Sequence, residues 1–151
     1  MSTQALKNDK SIQGLATYTD SIRFTHSDLT TAGTTQTLTL AIKAGQQVRS
    51  VAYKLHTAFS GGSLSSFTID VGDGVDVDGY IDAENIFTGA KAFGPDAVDA
   101  KVGIIGKVYD VDDTIDFLFT GSGNVDTATA GDIEIFFNIF DVDSIAGRST
   151  N

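Results

Sequence analysis

Asp132-Ile-Glu-Ile-Phe-Phe-Asn-Ile-Phe140, read beside Thr114-Ile-Asp-Phe-Leu-Phe-Thr120, decides the fold class. In the first stretch Ile133, Ile135, Phe137 and Ile139 share one side, and in the second Ile115, Phe117 and Phe119 do. Successive side chains of an extended backbone point to opposite faces, so apolar residues at a period of two mark strands with one face on a core. Phe136 and Phe140 lie on the other face of the last stretch. A strand apolar on both faces is expected to be covered on both, either centrally in the fold or against another subunit.

Working outward, the same alternation recurs at Leu38, Leu40 and Ile42, at Val51, Tyr53, Leu55, Thr57 and Phe59, and at Phe67, Ile69 and Val71. Weaker strands are expected at Ala16 to Thr25, Tyr80 to Phe87 and Val102 to Tyr109. Turn chemistry separates them: Thr31-Ala-Gly, Lys43-Ala-Gly, Ser60-Gly-Gly, the acidic stretch 72–79, Gly94-Pro-Asp, Tyr109-Asp-Val-Asp and Gly121-Ser-Gly-Asn. The pattern predicts an all-β fold, an antiparallel two-sheet β-sandwich or jelly roll of about eight strands, with a barrel as the alternative.

Composition agrees. Of the 20 acidic residues only Glu84 and Glu134 are glutamate. Aspartate bonds its own backbone in turns, whereas glutamate favours helices. At 151 residues the chain is long enough for one domain with a real core. It has no cysteine, which excludes disulfides, thiolate metal sites and a cysteine nucleophile. The formal charge of −10 opposes binding to a phosphate backbone, so no nucleic-acid partner is expected. No apolar run is long enough to span a bilayer, and Met1 to Gly14 lacks the apolar segment of a signal peptide, so no membrane partner is expected either.

Residues 1–15 carry Leu6, Ile12 and Leu15 widely spaced among polar residues and form no strand pattern. They read as an extended N-terminal arm ahead of a single β-sandwich domain over 16–151. Either the arm is a disordered terminus or it orders across a partner, with those three side chains as anchors.

Thr68-Ile-Asp-Val-Gly-Asp-Gly-Val-Asp-Val-Asp-Gly-Tyr-Ile-Asp82 packs five aspartates and three glycines into one connection. A helix-loop-helix calcium site needs carboxylates at loop positions 1 and 12. With Asp76, Asp78 and Gly79 aligned to positions 3, 5 and 6, those places hold Gly74 and Asn85, so that motif is excluded. An irregular calcium cage from Asp73, Asp76 and Asp78 remains an alternative to a plain solvated turn. A carboxylate pair for acid–base catalysis needs an apolar wall that raises one pKa, and the Gly- and Asp-rich turn over 72–79 is read as solvated. His26 and His56 lack the short spacing of a zinc pair and read as surface or strand-edge residues. Gly103-Ile-Ile-Gly-Lys lacks the residue order of a phosphate loop, and Gly121-Ser-Gly lacks that of a nucleophile elbow. The reading is a non-enzyme with no catalytic residue, cofactor or metal.

The order of Thr68-Ile-Asp-Val-Gly-Asp73, Asp76-Val-Asp-Gly-Tyr-Ile81, Tyr109-Asp-Val-Asp-Asp-Thr-Ile-Asp-Phe-Leu-Phe-Thr-Gly121 and Gly131-Asp-Ile-Glu-Ile135 resembles small structural proteins of tailed bacteriophages. Capsid decoration or cement proteins look closest. The resemblance implies a virion protein made in the host cytoplasm and bound to the outer capsid surface, where it ties capsomers together. Its partners would be the major capsid protein and further copies of itself, as a trimer. Leu6, Ile12, Leu15, Phe136 and Phe140 would form the interface. Net negative charge suits a place outside the genome cavity. A tail or head-completion subunit and a calcium-dependent carbohydrate-binding module are the alternatives. The absence of Trp counts against the last.

Overall fold

The computed structural model describes residues 18–95 and 104–142. Its eight strands are β1 (Asp20–Thr25), β2 (Thr35–Ile42), β3 (Gln46–Ser60), β4 (Phe67–Gly72), β5 (Ile81–Asn85), β6 (Phe93–Pro95), β7 (Asp113–Gly121) and β8 (Ala130–Asp141). First pairs with last, second with seventh, third with sixth and fourth with fifth, all antiparallel. This is one long hairpin. Rolled over on itself, it adds the pairings β3·β8 and β4·β7. Two sheets result, ordered β1-β8-β3-β6 and β2-β7-β4-β5. That connectivity is a jelly roll, which settles the choice between sandwich topologies. Each sheet keeps two edges, so the barrel is excluded.

Inward residues of β7 and β8 meet across the sandwich. Phe24 of β1 lies edge-on to Phe117 at 4.9 Å and to Phe119 at 5.7 Å, and Phe137 of β8 packs on Phe117 at 6.0 Å. Phe59 of β3 stacks on Phe67 of β4 at 5.1 Å. Every one of these pairs joins the two sheets. Burying one such ring contributes about 1.5–3 kcal/mol, and the ring geometry adds roughly 0.5–1.5 kcal/mol. Gly131, at φ 149°, lets the Phe59 ring lie against the backbone where a Cβ would collide.

Three expectations about the strands change. Over 102–109 the described part, from Ile104 on, is a turn closed by Lys107 N–H to the Ile104 carbonyl at 3.0 Å. Gly106 at φ 86° breaks the extended path, and Val108 alone bridges to Gln47. Gly94-Pro-Asp, expected as a turn, instead contributes Gly94 and Pro95 to β6. Proline is tolerated there because an edge strand has one side with no ladder bond to lose. Thr57, expected on the inner face of β3, is exposed, since the β3·β8 register shifts on both sides of it.

Candidate functional site

The outward face of the β1-β8-β3-β6 sheet divides into two halves. Toward the start of β8 it is ionic. Arg23 holds Asp132 by two bonds, Nε to Oδ1 at 2.7 Å and a second guanidinium nitrogen to Oδ2 at 2.6 Å. Glu134 joins β3 to β1, meeting His56 Nε2 at 3.0 Å and accepting from the Ser21 hydroxyl at 3.2 Å. The Arg23 hydrogen bond holds the Asp132 carboxyl below its ordinary range, and the His56 hydrogen bond does the same for Glu134.

Toward the end of β8 the face is aromatic. Phe136 and Phe140 are half-buried, so the cover expected from within the fold is incomplete among the described residues. The physical reason is that β8 is central within its sheet, yet no third layer among the described residues covers this side. Tyr18 tilts against Phe136 at 5.8 Å, and the Arg49 guanidinium lies 4.7 Å above the Phe140 ring. Neither cover was legible in the sequence, because each depends on β1 and β3 flanking β8. β1 pairs Asp20 with Phe137, so the chain enters the fold beside these rings. Leu6, Ile12 and Leu15 lie outside the described residues.

The acidic stretch forms the β4–β5 connection, and its carboxylates are not solvated alike. Asp73 is fully buried. Its Oδ1 accepts the amides of Val75 at 2.9 Å and Asp76 at 2.8 Å. Its Oδ2 accepts the Lys107 ammonium at 2.8 Å and the Tyr109 hydroxyl at 3.1 Å. With the Tyr109 proton spent on Asp73, the Tyr80 hydroxyl donates to Tyr109 at 2.8 Å. Burial alone would raise the Asp73 pKa, but the donors, Lys107 first, outweigh it and hold the carboxyl below its usual value. Burial pushes the Tyr80 phenol up to about 12 and the Tyr109 phenol well above its ordinary range.

All four acceptor positions of Asp73 are thus engaged within the protein. Among the described residues no group of three or more His, Asp or Glu is arranged to hold a metal ion. At the loop tip Val75 and Val77 face solvent. Lys107, the partner that organises this loop, was not singled out by the sequence reading. No local signal marks a lysine that reaches back across the fold.

His26 lies in an open groove of about 380 Å³ lined also by Thr25, Ser27, Thr57, Thr129 and Asp132. The carboxylate in that lining, Asp132, is the one tied to Arg23. His56, expected at the surface or a strand edge, is the partner of Glu134.

A jelly roll with one aromatic sheet face defines a class of scaffold more than a chemistry. No protein-family model matches the chain, and no curated protein matches it. Among solved structures, a chain of the cyanophage Pam1 capsid asymmetric unit is similar, at 18% identity over 79% of each chain with a TM-score of 0.52. At that identity the likeness is one of fold.

Proposed function

We propose that this chain is a structural protein of a phage virion, and that it acts as a decoration or cement protein on the outer capsid surface. The observation that carries the reading is the fold shared with a chain of the cyanophage Pam1 capsid asymmetric unit. The resemblance of the loop and strand sequences to tailed-phage structural proteins supports it independently. The aromatic half-face of Phe136 and Phe140 supplies apolar contact area, and Leu6, Ile12 and Leu15 belong to the segment that precedes Tyr18 in the sequence. Ten net negative charges favour a position outside the packaged genome. The partners are the major capsid protein and further copies of this chain, a trimer by the same resemblance. The role asks for no catalysis.

Cosedimentation of the purified chain with capsids stripped of it tests the reading. Saturable pelleting at a fixed ratio to capsomers is expected, reduced at least tenfold by Phe136→Asp combined with Phe140→Asp and by deletion of residues 1–15. Failure of the unaltered chain to pellet would overturn the reading. Pelleting that ignores both variants would move the contact to another face.

A further inference from the structure

The two sheets have four edges, and three of them are blunted. β1 carries Asp20 and Arg23. β5 is short, bears Asp82 and Glu84, and pairs with a register shift beside Ala83 at φ 46°. β6 has three residues and ends in Pro95. Short strands, charges, irregular pairing and proline are the devices that keep a sheet edge from adding another strand.

β2 has none of them. Its eight residues, Thr-Gln-Thr-Leu-Thr-Leu-Ala-Ile, pair with β7 without a register shift. No charge occurs from Leu29 to Ile42 in a chain that is 20% charged. Gly121 N–H donates to the Thr34 carbonyl at 2.8 Å, which fixes the phase of the ladder. Gln36, Leu38, Leu40 and Ile42 therefore direct their main-chain groups to β7, and Thr35, Thr37, Thr39 and Ala41 direct theirs outward. Among the described residues those four outward pairs of donor and acceptor meet no strand.

We propose that the β2 edge is an interface with a second copy of this chain, β2 lying antiparallel to β2 across a twofold axis at Leu38. Charge selects this occupant. Two copies each carrying −10 repel wherever their acidic surfaces meet, and β2 is a long edge on which they touch without opposing charges. Self-pairing about Leu38 sets Thr37 opposite Thr39 and Thr35 opposite Ala41, so all four outward residues form hydrogen-bonded pairs. On the inner face Leu38, half-buried at the rim of the core, then meets Leu38 of the second copy, and Leu40 lies opposite its Gln36. The contact is isologous and closes on itself.

The chain has no cysteine, so one introduced thiol reports the register without interference. Leu38 would face its own copy in a non-hydrogen-bonded pair with Cα atoms about 4.5 Å apart, close enough for a disulfide. Leu38→Cys is expected to give a covalent dimer under mild oxidation, while the more exposed Ala41→Cys does not. Thr39→Pro removes an outward N–H without touching the β7 ladder. In light scattering it should halve the mass while circular dichroism is unchanged. A fall from two chains to one supports the proposal, as does a fall from six to three. A single-chain mass for the unaltered protein overturns it, as an edge covered by the chain's own N-terminal segment would show. A three-chain mass indifferent to Thr39→Pro also overturns it, and would leave the capsid reading and its trimer standing.

Discussion

Asp73 and Asp112 lie in two loops written in the same Asp-Val-Asp vocabulary, one between β4 and β5 and the other leading into β7. Asp112 accepts the Ala44 amide at 3.0 Å and faces Lys43 at 3.4 Å, with both side chains two-thirds exposed. Asp73 makes four bonds with no exposed surface at all. Both carboxyls are held below their ordinary pKa, Asp112 first by the Ala44 amide, Asp73 by donors that must overcome burial. A lowered pKa alone therefore does not distinguish a decorated surface loop from a loop anchored in the core. Burial does, because a partner left unpaired in water rehydrates and one left unpaired inside does not.

Removing each carboxylate in turn separates the two loops. Asp73→Ala strands the Tyr109 hydroxyl, two amides and the Lys107 ammonium, and should cost about 3 kcal/mol in urea unfolding. Asp112→Ala should leave the unfolding midpoint where it was. Equal effects would mean that the loops are not different in kind.

A smaller contrast lies inside the β4–β5 loop. A Cβ at Gly79 would run into the Ile104 side chain, whereas one at Gly74 meets nothing within 4 Å. Gly79→Ala should cost roughly 1–3 kcal/mol and Gly74→Ala close to nothing, by the same assay. If Gly74→Ala were the costlier, the loop would pack by its tip and not by its base.

The smallest effect is in pH dependence. Because the folded pKa of Asp73 lies below its unfolded value, its contribution is complete above the usual carboxyl range and is lost as pH falls through the folded value. Tyr80 has the opposite sign. Its folded pKa of about 12 exceeds the unfolded value of 10.0, so the protein loses stability as pH rises between them. Unfolding measured against pH should show both limbs, and Asp73→Asn should flatten the acid limb relative to the parent.

Much of the scaffold was legible because packing on one face enforces alternation. β7 and β8 show it without a break, and their inward residues are the ones buried. β6 was illegible, since three residues containing Gly94 and Pro95 carry turn chemistry wherever they stand. Val102 to Tyr109 misled in the opposite direction, because Ile104 and Val108 imitate alternation while Gly106 turns the chain. On the candidate face, Phe136 and Phe140 were identified as outward. Their covers, Tyr18 just ahead of β1 and Arg49 of β3, come from elsewhere in the chain. The depth of Asp73 depends on Lys107 and Tyr109, and no spacing rule connects residues so far apart in the chain.

The long-hairpin pairing also governs when the molecule can form. β7 is the central neighbour of β2 and β4, and β8 that of β1 and β3, so neither sheet can assemble until the last strands exist. Asp20 must wait for Phe137 to leave the ribosome, roughly ten seconds at synthesis rates of about 5–20 residues per second. During that interval the aromatic residues of β1, β3 and β4 have no sheet to enter, and the aspartates already synthesised oppose association between growing chains.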